Sequence, residues 1–289
     1  MLANEQSCKF CRIDADSPSR GRKENMDLGL NGKVALVTGG SLGIGKGICL
    51  ELAREGAHVA LCARGEKAMA ETAAEIEAIG VESLGVKADV INKTDIERVV
   101  TATLDKWGRI DILVNNAGGD ASNSHFVDDP DDVWEANYAI NLWPCIRFTR
   151  LAVPSMRANG GGAVINVSSV GGHSVSWPGV SDYSSAKAAM LMLTMAWAVD
   201  MGDDHIRVNC VNPALIHTPL WDELAKGFIP DMGSTVEEVF RTFTERLTVK
   251  RMGRIEEVGS VVAFLASDAK AGFITGQCWN VDGGYTRTL

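Results

Sequence analysis

The chain has 289 residues, of which 46% are hydrophobic and 22% charged, and its formal net charge is −9. These proportions exclude a disordered, collagen-like or coiled-coil chain, and the length allows one large domain with a substantial core. An acidic chain repels nucleic-acid backbones and anionic lipid surfaces, so we expect a small-molecule partner, no nucleic acid and no membrane.

The first 30 residues are polar, charged and aperiodic, which predicts a flexible tail. They lack the apolar core of a secretory signal, and the seven cysteines of the chain are odd in number and scattered. Cys8 and Cys11 form a Cys-x-x-Cys that could be half a zinc site or a redox pair, but no second pair of ligands follows. We therefore interpret them as ordinary tail thiols and predict a cytoplasmic, metal-free protein.

From Lys33 onward, short apolar runs alternate with longer helical patterns, which predicts a parallel sheet with crossover helices. The predicted strands are Val34–Val37, His58–Cys62, Ser83–Val86, Ile112–Val114, Ala163–Val167, Arg207–Val211 and Gln277–Val281. Seven strands fit one doubly wound α/β sheet flanked by helices. We predict one domain over 31–289, in which Pro213 to about Lys250 forms a mobile lobe with one or two short helices.

The helical patterns Ile44–Glu55 and Glu66–Ile79 are each followed by a glycine, Gly56 and Gly80, which is the residue that most often closes a helix. Both boundaries are therefore predicted at these glycines.

Further along, Asp129 and Pro130 have the pattern of an N-cap followed by a first-turn proline. They predict a long helix toward Ala158, kinked near Pro144 and Pro154 because proline cannot donate a backbone hydrogen bond.

A glycine-rich turn, Thr38-Gly39-Gly40-Ser41-Leu42-Gly43-Ile44-Gly45, joins the first strand to the first helix. Glycines at such a turn let the backbone approach a pyrophosphate and direct helix N-terminal amides at its charge. The spacing is Gly-x-x-x-Gly-x-Gly, and a lone turn of this kind also fits simple turn geometry.

Several further motifs follow in a fixed order: Asn115-Asn116-Ala117-Gly118, Ser169, Tyr183-Ser184-Ser185-Ala186-Lys187, Asn212-Pro213-Ala214 and Val281-Asp282-Gly283-Gly284. With the glycine turn, they make the chain resemble the classical short-chain dehydrogenase/reductase family from Asn31 to about Tyr285. The resemblance implies a Rossmann fold, a nicotinamide cofactor and hydride transfer between a carbonyl and an alcohol. It extends to 3-oxoacyl carrier-protein reductases, sugar-alcohol dehydrogenases and hydroxysteroid dehydrogenases, which the sequence does not separate.

The resemblance assigns cofactor contacts to Gly39, Ser41, Leu42, Gly43, Ile44, Gly45, Asp89, Val90, Asn116, Ala117, Gly118, Tyr183, Lys187, Pro213, Ile216 and Thr218. The second strand ends in Cys62-Ala63-Arg64, so Ala63 stands where NAD-preferring relatives carry an acidic residue. Arg64 can pair with a 2′-phosphate, which favours NADP(H). NAD(H) remains the alternative, with Arg64 solvated or stacked on the adenine.

Tyr183 and Lys187 are four residues apart and share one face of a helix. A free tyrosine is a poor base at neutral pH, and a neighbouring ammonium is expected to lower its pKa. The resemblance makes Tyr183 the acid/base, Lys187 its helper, Ser169 the hydrogen-bond partner of the substrate oxygen, and Asn141 the holder of a relay water. Ser168 is the adjacent alternative to Ser169.

Together these patterns predict an NADP(H)-dependent oxidoreductase acting on a carbonyl or secondary alcohol of a small, partly apolar substrate. The alternatives are an NAD-dependent alcohol or polyol dehydrogenase of the same family and a catalytically silent nucleotide-binding regulator. A substrate lobe at about 214–250 is expected to contribute to an apolar pocket that includes Trp177, Val180, Trp221, Leu224, Phe228 and Met232, although each could equally pack the lobe itself. Two apolar helices, at about 131–158 and 182–200, together with the family resemblance, indicate a homotetramer, to which 273–289 would add a second contact.

Overall fold

The computed structural model describes residues 26–119, 126–175 and 179–286. In these residues seven strands form one sheet in the order β3-β2-β1-β4-β5-β6-β7, and all neighbouring pairs are parallel. The strands are β1 Val34–Thr38, β2 His58–Ala63, β3 Ser83–Lys87, β4 Ile112–Asn115, β5 Gly162–Val167, β6 Ile206–Pro213 and β7 Cys278–Val281. The predicted doubly wound seven-stranded sheet is confirmed.

The helices cover both faces of this sheet. They are α1 Gly43–Arg54, α2 Glu66–Ile79, α3 Lys93–Trp107, α4 Asp131–Asn141, α5 Trp143–Ala158, α6 Ser181–Asp200, α7 Pro219–Met232, α8 Val236–Thr244, α9 Ile255–Ala266 and α10 Asp268–Ala271. Gly56 and Gly80, predicted to close α1 and α2, have the left-handed φ values of 87° and 108°.

Burial on both faces explains why the central strands consist almost entirely of apolar residues. Along β1, Ala35 and Val37 belong to the core under α1 and α9, whereas Leu36 faces the core under α3 and α5. The strand order reverses between β1 and β4, and ligands of such sheets bind at the carboxyl ends of the strands beside this reversal.

The predicted tail boundary at residue 30 is too late. Leu28 and Leu30 are only 8% and 2% exposed and pack into the core, and the Leu28 carbonyl accepts a hydrogen bond from Ser267 Oγ at 2.5 Å. Apolar side chains can add to a core from a short segment without any periodic pattern, so composition alone placed the boundary wrongly. Residues 1–25, with Cys8 and Cys11, lie outside the described residues.

The long helix predicted from Asp129 to Ala158 is two helices. Its N-cap is Pro130 rather than Asp129, and the break comes at Leu142, between α4 and α5. Because Pro144 has no amide hydrogen to continue the α4 ladder, a new helix starts with this proline in its first turn. Pro154 lies within α5 without ending it.

The predicted lobe contains two helices, α7 and α8, in agreement with the sequence interpretation. They enclose a small separate core formed by Leu215, Ala225, Val239, Phe243 and Leu247. Across the described ranges, we found no helix with the length and hydropathy needed to cross a membrane.

Candidate active site

The glycine-rich turn between β1 and α1 presents bare backbone at the carboxyl edge of the sheet. Gly39 and Gly43 have positive φ values of 65° and 53°, and a Cβ on Gly45 would collide with the Gly39 carbonyl oxygen. The N-cap Leu42 supplies no side-chain cap, and among the described residues the backbone amides of 41–45 donate no hydrogen bond. Free amides at a helix N-terminus form an anion site, as the sequence predicts for Ser41 to Gly45.

Asn116 and Ala117 hold this turn against the end of β4. Asn116 Nδ2 donates to the Thr38 carbonyl at 2.9 Å and to the Gly39 carbonyl at 3.2 Å. The backbone amides of Asn116 and Ala117 both donate to Thr38 Oγ1, at 3.0 and 2.9 Å. Asn116, to which the resemblance assigns a cofactor contact, therefore lies against the glycine turn.

Arg64 lies directly after β2, beside the glycine turn. The Gly40 amide donates to the Cys62 carbonyl at 3.2 Å, which fixes the end of β2 next to the turn. The Arg64 side chain is exposed, and no ion pair or side-chain hydrogen bond engages it in the part of the chain that the structure describes. Its guanidinium is thus available to a ligand that binds beside the glycine turn.

Asp89 and Val90 follow β3 rather than ending it, since the strand stops at Lys87. The Asp89 amide donates to Asp95 Oδ2 at 2.9 Å, and Asp89 Oδ1 accepts from the Ile91 amide at 3.1 Å. Both residues form a tight turn beyond the predicted strand end, and Val90 is buried.

Pro213, Ile216 and Thr218 lie at the end of β6 and in the segment that follows it. Pro213 is buried as the last residue of the strand. Ile216 is buried in the core, and its backbone forms an isolated parallel bridge with Gly253. Thr218 caps α7, and a methyl group on Gly43 would lie 3.2 Å from Thr218 Cγ2. The structure thus brings Thr218, one of the predicted cofactor contacts, against the glycine turn.

Tyr183 and Lys187 lie in the first turns of α6, as predicted. Lys187 Nζ is 5.6 Å from the centroid of the Tyr183 ring and donates to the Val167 carbonyl at 3.1 Å. The lysine is only 3% exposed, and this burial lowers its pKa from 10.5 to about 8.

The two adjacent serines have different surroundings. Ser168 Oγ is buried and donates to the Lys187 carbonyl at 3.0 Å, a structural contact with α6. Ser169 is half-buried, and its Oγ accepts from the Gly171 amide at 3.1 Å. A methyl group on Gly171 would lie 3.4 Å from Ser169 Oγ and 3.7 Å from Tyr183 Cε1, so Ser169 and Tyr183 border the same space.

Asn141 is the last residue of α4 and is buried. Its Oδ1 accepts from the Gly119 amide at 3.1 Å, and its Nδ2 donates to the Gly119 carbonyl at 2.7 Å. A methyl group on Gly118 would lie 2.7 Å from Asn141 Oδ1 and 3.1 Å from Lys187 Nζ, so these side chains meet beside Gly118. Because the helix ladder breaks at Leu142, no backbone amide of the described residues donates to the Asn141 carbonyl.

Two residues behind this site were missed in the sequence. Asp182 and Asn137 are fully buried, and the Asn137 side-chain amide donates to the Asp182 carboxylate. The available signals were a charged residue beginning the apolar helix α6 and the four-residue spacing from Asn137 to Asn141, but no single sequence pattern joins the two helices.

The aromatic residues of the predicted apolar pocket pack the lobe. The Phe243 ring makes edge contacts with Trp221 at 5.6 Å and Phe228 at 5.4 Å between ring centroids. Leu224 is 37% exposed and Val180 is half-buried. Trp177 and the Met232 side chain lie outside the described residues.

Comparison with known proteins identifies the family. The family model described as Enoyl-(Acyl carrier protein) reductase matches residues 39–286. Dehydrogenase/reductase SDR family member 4 from Sus scrofa is 34% identical over 264 residues, covering 90% of this chain and 89% of that protein. The chain belongs to the short-chain dehydrogenase/reductase family.

Other members of the family match over similar lengths. The 3-oxoacyl-[acyl-carrier-protein] reductase FabG of Thermotoga maritima is 34% identical over 255 residues, which cover 88% of this chain and 98% of that protein. L-sorbose reductase from Gluconobacter frateurii, in complex with NADPH and L-sorbose, superimposes with a TM-score of 0.87 at 37% identity, covering 91% of this chain and 100% of that one. The chain is therefore a short-chain dehydrogenase/reductase with the fold of an NADPH-binding relative.

Proposed function

We propose that the protein is an NADP(H)-dependent oxidoreductase that interconverts a carbonyl and a secondary alcohol in a small, partly apolar substrate. The observation that carries this proposal is the common space bordered by Ser169 Oγ and the Tyr183 ring, with the Lys187 ammonium beside the tyrosine. Carbonyl reduction needs a proton donor for the carbonyl oxygen and a hydrogen bond that holds this oxygen, and a tyrosine and a serine that border one space can supply both.

The chain's own residues supply the proton chemistry. When bound, a nicotinamide cofactor supplies or accepts the hydride. The Tyr183 hydroxyl donates its proton to the carbonyl oxygen in reduction and takes it back in oxidation, while Ser169 Oγ holds that oxygen by a hydrogen bond. The Lys187 ammonium favours the deprotonated tyrosine. The Asn141 carbonyl, which accepts no backbone amide of the described residues, would hold a water that returns the proton from solvent.

The glycine turn fits the pyrophosphate of a dinucleotide, because the amides of 41–45 donate to no described residue and the space at Gly45 excludes a side chain. The choice of NADP(H) rests on Arg64, an exposed cation without a protein partner in the described chain, and on Ala63, which places no carboxylate at the end of β2. The NADPH complex of L-sorbose reductase, a similar protein, supports the same choice.

Cofactor titration tests this choice without a substrate. Nicotinamide fluorescence is followed as NADPH and NADH are added to the wild type, to Arg64→Ala and to the control Lys270→Ala, which removes an exposed cation from α10. We expect NADPH to bind at least about tenfold more tightly, about 1.4 kcal/mol, with an advantage that shrinks in salt and disappears only in Arg64→Ala. NADH binding as tightly to the wild type would instead support the NAD-dependent dehydrogenase.

A pair of serine variants tests the reacting end. Ser169→Ala is expected to lower kcat about a hundredfold with little change in stability, because it removes the bond to the substrate oxygen. Ser168→Ala removes a buried hydrogen bond to α6 and is expected to cost about 1 kcal/mol of unfolding free energy while retaining most turnover. The reverse pattern would assign the catalytic role to Ser168.

We also propose that the protein assembles as a homotetramer through α5, α6 and the β7 edge. Apolar side chains are exposed on α6, where Met192 is 62% and Val199 is 83% exposed, and Trp143 on α5 adds to them. Phe273, just before β7, is fully exposed. Light scattering at micromolar concentration is expected to give four subunits, and Val199→Glu is expected to reduce the assembly, whereas a monomeric wild type would refute it.

A further inference from the structure

Asp182 is a buried carboxylate that the proposed proton chemistry does not use. It is 0% exposed and directly precedes Tyr183 in the first turn of α6. Within the described residues no lysine, arginine or histidine pairs with it. Its Oδ1 accepts from the Tyr183 amide at 2.8 Å, and its Oδ2 accepts from Asn137 Nδ2. A buried charge is costly, so its retention here calls for hydrogen bonds that a neutral residue would not reproduce.

The carboxylate gives a direction to a chain of amides. Because an ionised Asp182 can only accept, Asn137 must present its NH₂ group to it, which turns Asn137 Oδ1 toward α4. That oxygen accepts from Asn141 Nδ2 at 3.0 Å. Asn141 Oδ1 is then left to accept from the Gly119 amide at 3.1 Å. Asn141 Nδ2 also donates to the Gly119 carbonyl at 2.7 Å. The acceptor at the start of α6 thus orients Asn137, and Asn137 together with Gly119 holds the Asn141 side chain.

The chain of amides links three parts of the site. It begins at the backbone of Tyr183, passes through the last turn of α4, and ends on the segment after β4 beside Lys187. The backbone carbonyl of Asn137 also accepts a hydrogen bond from Asn141 Nδ2, at 3.1 Å. No other side chain of the described residues joins Asn141 to α6 in this way.

We propose that Asp182 is a positioning residue that, through Asn137, sets the place and orientation of Asn141 relative to Tyr183 and so maintains the proton relay. This inference rests on the proposed function. It extends that function to a pair of residues outside the serine, tyrosine, lysine and asparagine set, and it explains why a charge lies buried next to the acid/base tyrosine.

Exchanging the two residues provides a sharp test. In Asp182→Asn alone, the new amide must turn its NH₂ toward that of Asn137 if it still accepts from Tyr183, so two donors face each other. In the double exchange, Asp182→Asn with Asn137→Asp, the carboxylate introduced in α4 accepts from Asn141 and from the amide introduced in α6. That introduced amide still accepts from the Tyr183 backbone through its oxygen. Net charge, side-chain size and the number of hydrogen bonds are all preserved.

The readouts separate positioning from folding. For Asp182→Asn we expect kcat to fall at least about tenfold while the NADPH dissociation constant changes less than about twofold, and we expect the double exchange to recover kcat to within about threefold of the wild type. The control Tyr138→Phe removes a different α4–α6 hydrogen bond, to Ser185 at 3.1 Å, and is expected to keep the wild-type kcat. Full activity in Asp182→Asn, or a double exchange no better than the single variant, would overturn the proposal.

Two further results keep the test decisive. If Asp182→Asn does not fold, the double exchange alone decides, and its failure to fold or to turn over would refute the proposal. Hydrogen exchange of the Gly119 amide, which donates to Asn141, is expected to accelerate in Asp182→Asn and to return to the wild-type rate in the double exchange. This readout needs no substrate, so a wild type that reduces no carbonyl would refute the proposed function while the amide chain is still tested.

Discussion

Replacing Lys187 with methionine is expected to stabilise the folded protein while removing its activity. Burial lowers the pKa of the lysine from 10.5 to about 8. At pH 7 the Lys187 side chain is therefore protonated in both states, but the unfolded state binds this proton more tightly. The shift corresponds to about 3 kcal/mol of destabilisation at pH 7. Losing the hydrogen bond to the Val167 carbonyl costs about 1 kcal/mol, so the net gain in unfolding free energy is about 2 kcal/mol.

The pH dependence distinguishes this cause from simple repacking. The unfolded state binds more protons than the folded state between pH 8 and pH 10.5, so the cost of Lys187 is full below this window and disappears as the pH rises through it. Urea unfolding at pH 7 and at about pH 9.5, at one subunit concentration, is expected to show the advantage of Lys187→Met shrinking by about 2 kcal/mol. The exposed control Lys67→Met is expected to change stability by less than about 0.5 kcal/mol at either pH. A variant less stable than the wild type at pH 7, or a gain independent of pH, would refute the reasoning.

Two further predictions concern close packing. Gly118→Ala is expected to lower kcat at least about tenfold, because its methyl group would lie 2.7 Å from Asn141 Oδ1. In Gly119→Ala the nearest atom to the methyl group would be 4.0 Å away. Turnover of this control in the same assay is expected to stay near that of the wild type. Equal rates in the two variants would contradict the placement of Asn141. A truncated protein that begins at Asn31 is expected to be about 3 kcal/mol less stable to urea than one that begins at Leu28, because it lacks the buried Leu28 and Leu30. Equal stability of the two truncated proteins would show that these leucines do not support the core.

Local and periodic signals accounted for most of the fold. Alternating apolar runs and helical patterns predicted all seven strands within a few residues, and the glycines after α1 and α2 marked both helix ends. These signals lie within short segments of chain, where burial and backbone geometry act directly on each residue.

The errors arose where a residue's partner is distant in sequence. Pro144 indicates a disturbed helix, but whether the chain kinks or breaks at Leu142 depends on the packing of α4 against α6 and of α5 against the sheet. The contact between Asn137 and Asp182 spans 45 positions, and no periodicity specifies it. The sequence also left Ser168 open as the alternative to Ser169, because the hydrogen bond from Ser168 Oγ to the Lys187 carbonyl spans 19 positions.

The central claim is that Tyr183 transfers a proton in a carbonyl–alcohol interconversion that uses a nicotinamide cofactor. The most direct measurement is the rate at which the absorbance of NADPH falls with a panel of ketones, for the wild type and for Tyr183→Phe, after NADPH binding to both has been measured. We predict turnover by the wild type and a loss of at least about a hundredfold in Tyr183→Phe with unchanged NADPH affinity. A wild type that binds NADPH and converts no carbonyl or alcohol, or a Tyr183→Phe variant that keeps the wild-type rate, would contradict the claim.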